Sequence, residues 1–313
     1  MANVVFMGSA EYSVPSLMAL TLAHDVVGVV TQPDRPAGRG RKVSANPVKR
    51  LAEASGFPVY QPTTLRTPEA VSQLAQWDPD LIVVAAFGHI LRQPVLDLAP
   101  HGCVNVHASL LPRWRGASPV AAAILAGDTE TGVTIMQMDR GMDTGPILAQ
   151  EATGIEVDDT AATLSARLAE LGAQLLVQVL SPYLEGDLIP EHQPEEGVTY
   201  APLLTKEDGQ IDWTIPATLI DRQVRAFTPW PGSYTFWEET LLKVLEVIPF
   251  DDWTGPEAPG TVLEGEVSPL VATGEGAVWL TRLQLAGKKA MTADVFLRGR
   301  PDFLGAILGP GPR

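Results

Sequence analysis

The run Leu81-Ile82-Val83-Val84-Ala85-Ala86-Phe87, residues 81–87, is apolar at every position and does not alternate. A strand with one wet face alternates; a strand covered on both faces does not. The run therefore predicts a central strand of a parallel sheet. Val4–Met7, Val26–Val30 and Val104–His107 also read as strands. Helical segments fall between them. One starts near Val14, and one spans Pro47 to Ser55, with proline at its start and Gly56 as its stop. Another, Val120–Ala126, ends before Gly127. Strand and helix in alternation predict an α/β fold, an open, doubly wound (Rossmann-like) sheet.

The pattern then changes. Gly132–Met138 and Pro146–Ala152 read as strands on either side of the turn Arg140–Gly145. A long amphipathic helix follows, with Leu164, Leu168, Leu171, Leu175 and Val179 on one stripe, and Asp158 or Asp159 as its expected cap. The stretch 186–207 is polar and rich in Glu, Pro and Gly, and reads as a linker. Beyond it come short β runs split by Gly and Pro: Gly232–Trp237, Leu241–Ile248, Gly260–Glu266, Leu270–Thr273 and Ala277–Leu285. They predict a small β-barrel or sandwich. The expected division is a first domain over 1–185, the linker, and a second domain over 208–313.

Composition narrows the function. One cysteine, Cys103, rules out an intrachain disulfide and fits a reducing compartment. No basic leader precedes the first strand, and no run approaches the ~20 apolar residues of a membrane span. A cytoplasmic protein without membrane attachment is expected. The net charge of −15 excludes a generic nucleic-acid binder. Yet residues 35–50 hold Arg35, Arg39, Arg41, Lys42, Lys49 and Arg50 with no acid, which leaves −21 on the rest. A local basic loop on an acidic body can still grip a phosphate backbone.

The chemistry concentrates in Gly102-Cys103-Val104-Asn105-Val106-His107-Ala108-Ser109-Leu110-Leu111-Pro112. Asn105 and His107 stand two apart on a strand, so they share a face, with Cα atoms roughly 6–7 Å apart. A carboxylate, Asp143, follows in a Gly-rich turn. Singly, each has an ordinary reading: a core histidine, a strand-end amide, an Asx-turn. Together they sit at the carboxyl edge of a buried strand and in the following loop, where open α/β sheets bind ligands. The trio suits direct acyl transfer to an amine. Asn105 and a protonated His107 would donate to the oxyanion of a tetrahedral intermediate, and an anionic Asp143 would favour the imidazolium. No serine nucleophile sits beside a base. Other chemistries fit worse. Gly8-Ser9-Ala10-Glu11-Tyr12 after the first strand lacks a dinucleotide fingerprint. Cys103 and His107 would lie roughly 13 Å apart on a strand, too far for a nucleophile pair. The five histidines lack metal-ligand spacing.

The stretch Asn105–Pro119, with Thr131–Asp139 running on to Gly141–Gly145, resembles the folate-dependent formyltransferases. The resemblance implies catalytic roles for Asn105, His107 and Asp143. It implies 10-formyltetrahydrofolate as formyl donor, without a metal. It also implies a folate site lined by Ser109, Leu110, Leu111 and Pro112 and bordered by Phe87, Gly88 and His89. Thr31–Lys42 resembles the basic loop of the family members that formylate methionyl initiator tRNA. Arg225–Gly232 and Ala286–Met291 resemble their OB-like C-terminal domain. Arg35, Arg39, Arg41, Lys42, Lys49, Lys288 and Lys289 are the expected tRNA contacts, and a monomer is expected. The likeness runs from Val5 to about Met291, and the last twenty residues match poorly. His89 stands where members often carry an apolar residue, and Ser9-Ala10 replaces a common Thr-Pro pair. The alternatives are a formyltransferase for a small amine, such as a glycinamide or amino-sugar nucleotide, and a tRNA- or folate-binding module without activity.

Overall fold

The computed structural model describes residues 1–37, 42–266 and 268–311. In chain order the first elements are β1 (Asn3–Gly8), α1 (Val14–Ala23), β2 (Asp25–Val30), β3 (Arg35–Ala37), β4 (Lys42–Ser44), α2 (Pro47–Ala54), β5 (Val59–Tyr60) and α3 (Pro68–Ala75). Next come β6 (Leu81–Ala85), α4 (Gln93–Leu96), β7 (Cys103–His107), β8 (Arg115–Gly116), α5 (Pro119–Ala126), β9 (Glu130–Gln137), β10 (Ile147–Gly154), α6 (Ala161–Glu185) and β11 (Tyr200–Ala201).

One sheet runs in the order β10-β9-β7-β6-β1-β2-β5. Strands β5, β2, β1, β6 and β7 are parallel, while β9 runs against β7 and β10 against β9. Strand β6 is buried at all five positions, as its unbroken apolar run requires. The chain leaves β1 for β2 and β5 on one side, then returns to β6 on the other. The order therefore reverses between β1 and β6, and their carboxyl ends open a crevice there. The core on one face gathers Val5, Met7, Leu74, Ile82, Val84, Val95 and Cys103. Helix α2 starts where Asn46 accepts from the Lys49 amide at 3.0 Å, followed by Pro47, and ends before Gly56 at φ +75°.

The later elements are α7 (Ala217–Ala226), β12 (Ser233–Trp237), β13 (Thr240–Phe250), β14 (Val262–Leu263), β15 (Leu270–Ala272), β16 (Ala277–Leu285), β17 (Met291–Thr292), α8 (Ala293–Gly299) and β18 (Leu308–Gly309). Their sheet is antiparallel, in the order β14-β15-β16-β13-β12-β18, with β17 on β16. Val262 N donates to Ala306 O at 2.9 Å, and Gly305 N donates to Val262 O at 2.8 Å. These bonds join the β14 end of the sheet to the chain entering β18, so its edges close on each other. Ile220, Val224, Trp237, Leu280 and Phe303 fill the interior, with Trp237 edge-on to Phe303 at 5.2 Å. Helix α7 lies in a region the sequence reading gave to strands alone. Ala217, Ile220 and Val224 carry its helical spacing and are buried.

Two compact units result. One comprises Met1–Pro119, Glu130–Gly154 and Leu164–Pro202; the other comprises Val120–Thr129, Ile155–Thr163 and Leu203–Arg313. Residues 186–202, read from sequence as a tether, are thus part of the first unit. Helix α6 is capped by Thr160, whose Oγ1 accepts from Thr163 N at 3.2 Å, not by the expected Asp158 or Asp159. Asp159 instead accepts from Glu156 N at 2.8 Å and from Thr163 Oγ1 at 2.8 Å.

Candidate active site

Strand β7 is buried along its length and presents Asn105 and His107 at alternate positions. Val106 points the other way, and its Cγ1 lies so close to Gly172 of α6 that a Cβ there would approach it to 2.8 Å. This fixes the face on which Asn105 and His107 stand.

The His107 imidazole is 6% exposed. Its Nε2 lies 3.0 Å from the Trp114 carbonyl oxygen. A carbonyl only accepts, so Nε2 donates there. Its Nδ1 faces Asp143 Oδ2 at 3.7 Å, within ion-pair range but beyond a hydrogen bond. That same Oδ2 accepts from Gly116 N at 2.8 Å. Asp143 holds φ +52°, the left-handed region that Asp tolerates better than most residues. Asn105 is 9% exposed, and among the described residues no hydrogen bond engages its carboxamide. The three side chains expected from sequence thus belong to one unit, with the carboxylate beside the imidazole and the amide on the same strand face. The partners that hold them, Trp114 O and Gly116 N, are backbone atoms that sequence reasoning missed. Only the neighbourhood Trp114-Arg115-Gly116 in the quoted motif pointed to them.

The turn after β7 is pinned. Thr134 Oγ1 donates to Ser109 O at 2.6 Å and accepts from Leu111 N at 3.0 Å; Gln150 Nε2 donates to Leu111 O at 2.9 Å. Ser109 and Leu111 are buried, and Leu110 and Pro112 are half-buried.

A cleft of about 670 Å³ opens at the carboxyl ends of β1, β2 and β6. Glu11, Gln32, Arg35, Asn46, Arg50, Phe87, Gly88 and His89 line it. His89 stacks on Phe87 with ring centroids 5.1 Å apart. Partial burial, then Arg35 and Arg66, push its pKa below the usual histidine value. A second cleft, of about 640 Å³, is lined by Leu96, Gly102, Gln137, Met138, Asp139, Arg140 and Pro146 among others, the segment that leads into Asp143. The structure therefore brings Phe87, Gly88 and His89 together with Arg35, while Ser109–Pro112 lines neither cleft.

The basic residues separate into groups. Arg39 and Arg41 lie outside the described residues; Lys42 pairs through its backbone in the β3–β4 hairpin, and its side chain is not described. Arg35 is exposed. Lys49, expected to face a phosphate, instead donates to Asp34 at 2.6 Å. That bond, then one from Gln61, holds the Asp34 carboxyl below the usual carboxylate range. Lys288 and Lys289 are exposed in the turn that follows β16. Cys103 is 1% exposed, and burial pushes its thiol up to about 12, so it is an inert core residue. Among the described residues no group of His, Cys, Asp or Glu gathers as metal ligands do, and no helix is long and apolar enough to cross a membrane.

The formyl transferase family matches residues 2–180, and the formyl transferase C-terminal domain matches residues 203–301. The methionyl-tRNA formyltransferase of Myxococcus xanthus is 51% identical over 95% of each chain. That of Thiobacillus denitrificans is 50% identical over 98% of this chain and 99% of its own. Among solved structures, HypX from Aquifex aeolicus superposes with a TM-score of 0.66 at 18% identity, over 95% of this chain and 47% of that one. An N-formyltransferase from Helicobacter canadensis, solved with folinic acid and dTDP-3-aminofucose, gives a TM-score of 0.66 at 20% identity, over 92% and 100%. These two share the fold.

Proposed function

The chain belongs to the formyltransferase family, and from that premise we propose that it moves a formyl group from 10-formyltetrahydrofolate to the α-amino group of methionyl initiator tRNA. The donor supplies an activated formyl carbon. The single observation that carries the reading is the nearly buried Asn105 carboxamide, engaged by no protein partner among the described residues, on one strand face with His107 and its companion Asp143. Such a donor suits an oxygen on which negative charge develops. Asn105 donates to that oxygen. His107 helps move the proton of the attacking amine, and Asp143 orients the imidazole. We place the folate along Phe87–His89, where the stacked His89 and Phe87 rings suit a flat heterocycle, and the resemblance adds Ser109–Pro112, which lines neither cleft. The acceptor end meets Arg35, Arg39, Arg41 and Lys42, and the OB-like second unit offers Lys288 and Lys289. These are phosphate contacts, which position the tRNA without reading bases. Lys49 stays with Asp34. The protein works as a cytoplasmic monomer.

The test is formylation of charged initiator tRNA beside charged elongator tRNA, with 10-formyltetrahydrofolate as donor. Preferential formylation of the initiator is expected. Equal rates on both, or none on either, would overturn the acceptor assignment.

A further inference from the structure

Gln193 lies in the polar stretch that composition marks as a tether, yet its amide is fully engaged around the Asp143 loop. We propose that Gln193 is a positioning residue that holds Asp143 against His107; the proposal rests on the formyl-transfer reading above.

Its Nε2 donates to the carbonyl oxygens of Asp143 and Gly145, both at 2.8 Å. Its Oε1 accepts from Arg115 Nε at 3.0 Å and from Nη2 at 2.6 Å. A guanidinium only donates, so Arg115, 9% exposed, dictates which way round the amide sits. The amide hydrogens are thereby committed to the two carbonyls of the loop. Asp143 needs such support, because a non-glycine residue at positive φ persists where its surroundings over-determine it.

The neighbours of Gln193 make the same connection twice more. Glu191 exchanges backbone hydrogen bonds of 2.7 and 2.8 Å with Ile147, just beyond the Asp143 loop. Thr199 Oγ1 accepts from Trp114 N at 2.8 Å, and Thr199 O accepts from Arg115 N at 2.9 Å. The segment 191–199 is thus bonded on one side to the chain that carries Asp143. On the other it is bonded to Trp114 and Arg115, whose neighbourhood receives His107 Nε2 and supplies Gly116 N–H to Asp143. Gln193 is the side chain that spans both.

Full-length Gln193→Leu and Gln193→Glu test this. Leucine keeps the bulk and loses every hydrogen bond. Glutamate keeps acceptors for Arg115 but has no N–H for the two carbonyls. Both variants should lower kcat about 10- to 100-fold, the scale of an ångström misplacement, with KM for folate and tRNA within about twofold. Hydrogen exchange at the Gly116 amide, followed by NMR without substrate, should speed at least ~10-fold, while exchange at Val83 and Val104 in the sheet stays unchanged. Turnover within about twofold of the parent in Gln193→Glu, or unaltered Gly116 exchange, overturns the proposal. So does a fall in Tm with faster exchange throughout the sheet and normal kcat, which is the signature of a merely structural residue. If the parent protein formylates no methionyl-tRNA, the acceptor reading falls, and Gly116 exchange alone still decides whether Gln193 holds Asp143.

Discussion

Asn105 and His107 share a strand face but are held very differently. His107 is tied to a carbonyl and set beside a carboxylate, whereas the Asn105 carboxamide meets no hydrogen-bond partner among the described residues. The variants should diverge accordingly. Asn105→Ala is expected to lower kcat by ~10²-fold or more, the cost of losing one oxyanion donor, with little change in Tm. His107→Ala is expected to lower kcat at least ~10²-fold and also to lower Tm, because truncating the nearly buried imidazole removes its packing and its bond to the Trp114 carbonyl. Steady-state kinetics beside thermal denaturation checks both; near-normal turnover in either removes that residue from the mechanism. At this scale the proximity of the candidate residues was legible. Two-residue spacing on a strand, followed by a carboxylate in a glycine-rich turn, names the trio. What holds the trio was not legible. Trp114 O and Gly116 N are backbone atoms that no side-chain letter announces, and Gln193 sits among Glu, Pro and Gly residues whose composition signals only a loop.

At the scale of elements, the described residues of the acid-free run 35–50 form the paired strands β3 and β4 and the capped helix α2. Asn46 and Pro47 start α2 as their identities dictate. Lys49 is half-buried; it ties α2 to Asp34, just before β3, as a brace, and more distantly pairs with Glu53 on its own helix. A paired lysine releases no counterion when phosphate binds. Lys49→Ala should therefore leave the salt dependence of tRNA binding unchanged and loosen the brace instead. The brace has a definite pH window. Asp34 has a depressed folded pKa, so its contribution is present above the unfolded carboxylate value and disappears as pH falls through the lowered one. The Tm difference between parent and Lys49→Ala should persist at neutral pH and vanish in acid below the ordinary carboxylate range. A salt slope reduced by about one in Lys49→Ala would instead put the ammonium on the tRNA. Charge clustering showed that a basic element exists. It could not show which cation is already neutralised, because Asp34 and Lys49 are fifteen residues apart. The cap of α6 misled for a related reason: Asp159 is occupied by Glu156 and Thr163, which leaves Thr160 to close the helix.

For the whole molecule, sequence texture gave the two architectures but not how the chain is shared between them. The unbroken apolar run of β6 and the short Gly- and Pro-split runs after Ile211 predict a parallel sheet and a small β-barrel or sandwich. That Val120–Thr129 and Ile155–Thr163 cluster with the C-terminal unit depends on long-range bonds such as Arg222 to Ala126 O and Arg225 to Asp159 O. No local pattern encodes such bonds. On a chain of net charge −15, the adjacent exposed Lys288 and Lys289 are a local positive spot that a phosphate backbone can meet. Lys288→Ala with Lys289→Ala should raise KM for tRNA, leave KM for folate alone, and reduce the slope of log affinity against log salt by up to about two. An unchanged slope would remove that turn from the docking surface. The buried Cys103 thiol has a different use. It is the chain's one sulfhydryl, sealed in the sheet strand that carries Asn105 and His107, with its acidity suppressed. An aromatic disulfide reagent should therefore leave the folded enzyme unlabelled and react only as fast as that sheet opens, so a single absorbance trace times the molecule's unfolding from within.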